Sequence, residues 1–221
     1  MRTGHWLVVA ALVVAAGDWV AVARRAQRAE YVLKPLTMVV LIGAAISLRA
    51  GNPAATCAFT LAALAFSLAG DVFLMVPKNL FIAGLASFLL AHLAYVAAFN
   101  PTAPPLGGTL VGLVVVLAMG VPLFLRMARG MRVSGQRDML VPVACYFAAI
   151  GAMVVSAIAT AGRPDWDAAH AALAIAGAGL FMTSDSLIGW RRFVAPIHHG
   201  DLGVIVTYHL AQVALVLALL G

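Results

Sequence analysis

Apolar residues run along this chain in long, nearly unbroken stretches, with none of the one-sided striping of a water-soluble helix. Windows of about twenty residues, the length a helix needs to cross a bilayer core of about 30 Å, predict eight helices. Their limits fall near 5–23, 31–48, 54–76, 79–99, 106–127, 138–161, 168–190 and 202–220. Short segments rich in turn formers separate them: "GNP" at 51–53, "VPKN" at 76–79, "NPTAPPLGG" at 100–108 and "GRPDWD" at 162–167. The pattern predicts an all-α polytopic membrane bundle, with residues 1–221 forming a single integral membrane domain. No linker is long enough to set off a second domain, and no internal repeat stands out.

Composition agrees. The 221 residues are 64% hydrophobic and only 10% charged, with a mean hydropathy of +1.03, whereas soluble domains are about a quarter charged. Residues 5–23 have the look of a signal peptide, with Ala21-Val22-Ala23 at its end. However, Arg24, Arg25 and Arg28 follow at once and would be delivered to the outside by cleavage, so the segment is read as the first helix. Cys57 and Cys145 both lie in apolar runs and are expected as small core residues, with no disulfide or metal framework.

Charge then orients the bundle. One set of loops holds Arg24, Arg25, Arg28, Lys34, Lys78, Arg126, Arg129, Arg132, Arg137, Arg191 and Arg192; the other holds Arg2, Arg49 and Arg163. Such asymmetry places the first set in the cytoplasm and both termini outside. The net charge of +6 is accounted for by this topology and by anionic lipid headgroups, with no nucleic-acid partner.

Two acids stand out within the apolar stretches. Asp71 precedes Lys78 by seven residues and Asp185 precedes Arg191 by six, so both lie about 9–10 Å from the same boundary. A carboxylate facing lipid at the bilayer centre costs about 2.5–3.5 kcal/mol, so both should point inward. Ser67, Gly70 and Leu74 share a face with Asp71; Gly177, Phe181, Ser184 and Ile188 share one with Asp185. Tyr208 and Gln212 share a face of the last helix, and Lys34 begins the second. A cleft lined by Lys34, Asp71, Asp185, Tyr208 and Gln212 is the simplest constellation. The competing reading is structural: the acids pair with Lys34 or hydrogen-bond across helices. Asp18 is expected to snorkel or pair, with a place in the cleft as the alternative. Trp6, Trp19, Trp166 and Trp190 fall near the predicted boundaries, where interfacial tryptophans sit.

The segments "GDVFLM" (70–75), "FIAGLASFLLAHLAY" (81–95), "GAGLFMTSDSLIGWRRF" (177–193) and "YHLAQ" (208–212), preceded by "KPL" (34–36), resemble the YhhN-like membrane proteins, the lysoplasmalogenases. The resemblance covers nearly the whole chain and implies eight helices. It also implies hydrolysis of the vinyl ether bond of lysoplasmalogens to a fatty aldehyde and glycerophosphoethanolamine or glycerophosphocholine, with no cofactor or metal requirement. By motif, Asp71 and Asp185 correspond to the family's acidic residues, and Lys34, Tyr208 and Gln212 to supporting positions. The candidate catalytic residues are therefore Asp71 and Asp185. The candidate substrate-binding residues are Lys34, Tyr208, Gln212, Ser184 and His92, and the expected partners are a lysophospholipid substrate and membrane lipids. Arginine far outnumbers lysine in an Ala- and Gly-rich chain, which points to a GC-rich bacterial source and hence to the cytoplasmic (inner) membrane.

Vinyl ether hydrolysis starts with protonation of a carbon, so one carboxyl group must hold a proton while another is ionised. Two like charges close together in a low-polarity medium divide in this way, as paired acids do in glycoside hydrolysis. Asp185 is assigned as the acid and Asp71 as the base and cation stabiliser, an order the sequence does not fix. Lys34, Arg191 and Arg192 are placed to meet a headgroup phosphate, although the commoner role of such residues is positive-inside anchoring. A zinc hydrolase needs about three converging ligands, and by register His92 and His209 differ in depth by about 9 Å. Each is expected as a buried, hydrogen-bonded histidine, with none placed beside Ser67 or Ser184. The alternative reading is a proton-coupled transporter or lipid carrier that uses Asp71 and Asp185 as a relay. It predicts acids at staggered depths and repeated halves.

Overall fold

A computed structural model describes residues 3–221, which leaves Arg2 outside the described residues. Eight helices follow one another: α1 (Thr3–Ala23), α2 (Gln27–Leu48), α3 (Ala54–Met75), α4 (Phe81–Phe99), α5 (Leu106–Val133), α6 (Leu140–Ala159), α7 (Ala168–Phe193) and α8 (Gly200–Leu220). All eight are long and apolar enough to cross a membrane, and there is no strand among the described residues. The protein is an integral membrane protein. Short connections make sequence neighbours pack as antiparallel pairs, α1 with α2, α3 with α4, α5 with α6 and α7 with α8. α8 closes the bundle by packing also on α1, α2 and α3. Its buried residues run around the whole helix, whereas α5 buries only Gly112, Gly120, Met127, Ala128 and Met131 and presents the rest of its surface outward.

The predicted limits hold at most ends and fail where an apolar window cannot see a one-sided helix. α5 continues six residues past 127, because Met127, Ala128 and Met131 keep a buried stripe against Val143 and Phe193 while Arg126, Arg129 and Arg132 turn outward. α2 starts at Gln27, four residues early, which places Pro35 inside the helix at the cost of the hydrogen bond to the carbonyl of Tyr31. α7 reaches Phe193, and Gly130 lets the end of α5 close on it: a Cβ at Gly130 would overlap the Phe193 carbonyl oxygen. Cys57 is buried as expected, but Cys145 is exposed, because it lies on the outer face of α6 and away from the core.

At the opposite end, Asp167 caps α7 by accepting hydrogen bonds from the Ala169 and His170 amides, each at 2.9 Å. The His170 amide, followed by the His170 side chain, holds the Asp167 carboxyl below the usual carboxylate range. A lowered carboxyl stabilises the fold at pH values above its unfolded value and loses that effect as pH falls through the folded one. Asp167→Ala is therefore expected to lower the melting temperature in detergent at neutral pH, with the difference from the parent shrinking as the buffer is acidified below the ordinary aspartate range. Equal melting temperatures at neutral pH would show that the cap contributes nothing.

Candidate functional site

Two carboxylate clusters lie near the end of the bundle that gathers the termini of α3, α5 and α7 and the starts of α4, α6 and α8. The first is centred on Asp71 of α3, only 1% exposed. Lys34 of α2 forms an ion pair with its Oδ1 at 3.2 Å, and the hydroxyl of Tyr208 on α8 donates to its Oδ2 at 2.7 Å. Gln212, one turn along α8, accepts a 2.6 Å hydrogen bond from the Tyr95 hydroxyl of α4 and forms no hydrogen bond with Asp71. The sequence expected Lys34, Asp71, Asp185, Tyr208 and Gln212 in one cleft; at Asp71 the bundle forms the pairing with Lys34 that the competing structural reading expected, and the cation neutralises the acid directly.

The second cluster is centred on Asp185 of α7. Tyr146 of α6 donates its hydroxyl proton to Asp185 Oδ2 at 2.5 Å, and His92 of α4 places Nε2 3.1 Å from the same oxygen and 3.0 Å from the Tyr146 hydroxyl. Because Tyr146 donates to Asp185, the triangle closes when His92 carries its proton on Nε2 and donates into it. Both contacts fall on Oδ2; Oδ1 has no hydrogen-bond donor among the described residues. The register argument set no histidine beside Ser67 or Ser184 and named His92 as a candidate for substrate binding; the structure sets it beside Asp185. The bundle does so because His92 lies deeper along α4 than Asp185 does along α7 and its ring reaches back against Phe181, with centroids 4.7 Å apart.

Between the clusters stand two phenylalanines. Phe88 and Phe181 meet edge to face at 6.1 Å, and both also pack on the Tyr208 ring, at 5.8 and 5.5 Å. Gly70 makes this possible, since a Cβ there would lie 2.6 Å from the Phe88 ring. The carboxylates therefore do not touch, although Asp185 is close enough for its charge to act on Asp71.

Only one of the two faces open space. Asp185, with its side chain 9% exposed, borders a narrow cavity of about 40 Å³ that is also lined by Tyr146, Phe88, Phe81, Met127, Met182 and Phe193. That is room for a few water molecules. Phe147 and Met182 separate the cavity from, and are shared with, an apolar groove of about 740 Å³ along α5 and α6. Asp71 lines neither.

Two of the remaining residues, Ser184 and His209, have structural partners. Ser184 donates to the Val204 carbonyl at 3.0 Å and clamps α7 to α8. His209 accepts from the Trp19 indole at 3.2 Å, so Trp19 points into the bundle and not to the membrane boundary. Asp18 neither snorkels nor pairs. It is fully buried, its oxygens have no hydrogen-bond partner among the described residues, and Lys34 is a cation within electrostatic reach, as are the acids Glu30 and Asp71.

Tyr146 is the residue that sequence reading missed. It was findable, because six residues beyond Leu140 put it about 9 Å into its helix, the depth of both acids.

Comparison with known proteins finds relatives by sequence. The chain is 35% identical over 160 residues to lysoplasmalogenase TMEM86B of Homo sapiens, covering 72% of this chain and 62% of that protein. It is 33% identical over 139 residues to the lysoplasmalogenase of Mycobacterium tuberculosis, covering 60% and 49%. The chain thus spans 62% and 49% of the length of these curated relatives. No solved structure matches it. The profile of the YhhN family matches residues 29–219, nearly the whole chain, and the protein belongs to the YhhN family.

Proposed function

We propose that this protein hydrolyses the vinyl ether bond of lysoplasmalogens, with Asp185 as the proton donor. The observation that carries this reading is the asymmetry of the Asp185 carboxyl group. Two donors, Tyr146 and His92, occupy Oδ2, while Oδ1 is free of donors in a side chain that borders the cavity. In the neutral acid Oδ2 is then the carbonyl oxygen, and Oδ1 carries the hydrogen and delivers it. The two relatives described above bear the lysoplasmalogenase name.

The chemistry follows from that geometry. Asp185 Oδ1 gives its proton to the vinyl carbon remote from the ether oxygen. The π electrons form the new C–H bond, and the positive charge is shared by the other vinyl carbon and the oxygen. The carboxylate left behind keeps the Tyr146 and His92 hydrogen bonds, which strengthen toward an anion. Asp71, paired with Lys34 and hydrogen-bonded by Tyr208 behind the aromatic pair, holds α2, α3 and α8 together beside the site. Water adds to the cationic carbon and passes a proton to Asp185, so the base role assigned to Asp71 from sequence falls to Asp185 itself. The hemiacetal then collapses to a fatty aldehyde and the glycerophospho-alcohol. The apolar groove along α5 and α6 takes the alkenyl chain. The cavity sits at the arginine-rich end of the bundle, which the positive-inside rule assigns to the cytoplasmic leaflet.

The test is turnover in heavy water. Purified protein acting on a lysoplasmalogen, with the aldehyde trapped at once by reduction, should yield a fatty alcohol bearing one deuterium on the carbon next to the former aldehyde carbon. The saturated ether analogue should not react. Product lacking that deuterium, with controls showing no back-exchange, would eliminate carbon protonation.

A further inference from the structure

Eleven cationic side chains gather at the site's end of the bundle or within a few turns of it, and the structure separates them by what they already hold. Lys34 is bound to Asp71. Arg191 is bound to Asp201 at 2.5 Å and packs on Gly200. Arg192, its neighbour, is exposed and has no acidic partner among the described residues. Its guanidinium lies 3.8 Å over the Phe81 ring and 5.8 Å from that of Phe193, and both rings line the Asp185 cavity. A guanidinium stacked on an aromatic face keeps the edge of its fork free for a planar or tetrahedral oxyanion.

The spacing on α7 is equally specific. Arg192 is seven residues after Asp185, two turns along one face and about 10 Å in rise. Met182, Asp185, Gly189 and Phe193 of that helix all line the cavity. In a lysoplasmalogen, six bonds separate the ether-bearing vinyl carbon from phosphorus, roughly 7 Å when extended. That span is of the same order as the two-turn rise between the two residues along α7.

Resting on the proposed function, we infer that Arg192 is the phosphate anchor of this site and selects substrates that carry a phosphodiester two helical turns from the scissile vinyl ether. The bond it forms is charge-assisted and directional, so it sets the depth at which the vinyl carbon meets Asp185 Oδ1. Arg191, one residue away, keeps the α7–α8 turn closed and does not contribute to headgroup binding.

The experiment compares Arg192→Gln with the parent on two substrates, an alkenyl lysophospholipid and an alkenylglycerol lacking the phosphate. Arg132→Gln, which removes the same charge from an exposed site at the same end, controls for attraction of anionic substrate to the surface. Arg192→Gln should raise KM for the phospholipid by roughly ten- to a hundredfold while kcat falls far less, and the KM ratio of variant to parent should collapse to about one on the neutral substrate. Arg192→Lys should recover part of the loss. Binding of a saturated lysophospholipid, followed by tryptophan fluorescence, should weaken in parallel in Arg192→Gln. Inorganic phosphate at millimolar concentration should compete with that binding in the parent only if the anchor takes free anion as well as the lipid headgroup. An unchanged KM for the phospholipid in Arg192→Gln, or an equal loss in Arg132→Gln, would overturn the assignment. A parent protein inactive on both substrates would instead overturn the proposed function, and the fluorescence arm would still decide the anchor.

Discussion

Asp185→Asn is expected to lower turnover of a lysoplasmalogen by about 10²–10⁴-fold while leaving a folded protein with parental thermal stability. Asparagine has the same shape, and its amide oxygen can take the place of Oδ2 and accept from Tyr146 and His92, which donate there at 2.5 and 3.1 Å. The amide nitrogen then occupies the position of Oδ1 against the cavity. The hydrogen-bonded frame survives, and the only function removed is transfer of an acidic proton to carbon. The measurement is aldehyde release in detergent beside a melting curve of the same preparation. Turnover within a few fold of the parent would make Asp185 a structural residue and return the site to the reading in which the acids only bind helices together.

How far the sequence exposed this arrangement depends on the kind of signal each part leaves. Eight helices are legible because spanning a membrane requires long apolar runs, and their ends are legible wherever a turn former or charge interrupts the run, as at Gly51, Pro77 and Arg163. The end of α5 is not, since Met127, Ala128 and Met131 bury one side of a segment whose other side is arginine. Asp71, Asp185 and Lys34 are legible as charges in apolar surroundings. Tyr146, the partner that escaped, is less so: tyrosine carries no charge and disappears into an apolar count. Tyr146 and His92 stand 54 residues apart, and their meeting at Asp185 depends on α4 and α6 packing side by side. That non-sequential neighbour relation is set by helix shape and has no local signature. For the same reason depth alone placed Asp71 and Asp185 in one cleft, although Phe88 and Phe181 stand between them and only Asp185 borders the cavity.

Lys34→Met is expected to produce the largest loss of stability, about 3–5 kcal/mol, the cost of leaving one member of a buried ion pair without its partner. Lys34 Nζ lies 3.2 Å from Asp71 Oδ1, with the two side chains 14% and 1% exposed, so water cannot take over from the missing ammonium. Tyr208 alone would then face the carboxylate. The deficit is wider than one pair, since Asp18 is fully buried, has no hydrogen-bond partner among the described residues and lies within electrostatic reach of Lys34. One lysine therefore compensates two acids brought together from α1 and α3. Removing charge on both sides should reverse most of the effect, so Lys34→Met combined with Asp71→Leu is expected to unfold nearer to the parent than Lys34→Met does, although it lacks more polar groups. Adding Asp18→Asn to Lys34→Met should recover a smaller share. The measurement is denaturant or thermal unfolding in one detergent, read as a double-mutant cycle. If Lys34→Met unfolds with the parent, the ammonium is not the counter-charge of Asp71. If the double variant is as unstable as the sum of the two single ones, the two residues act independently and the ion pair contributes nothing to holding α2 against α3.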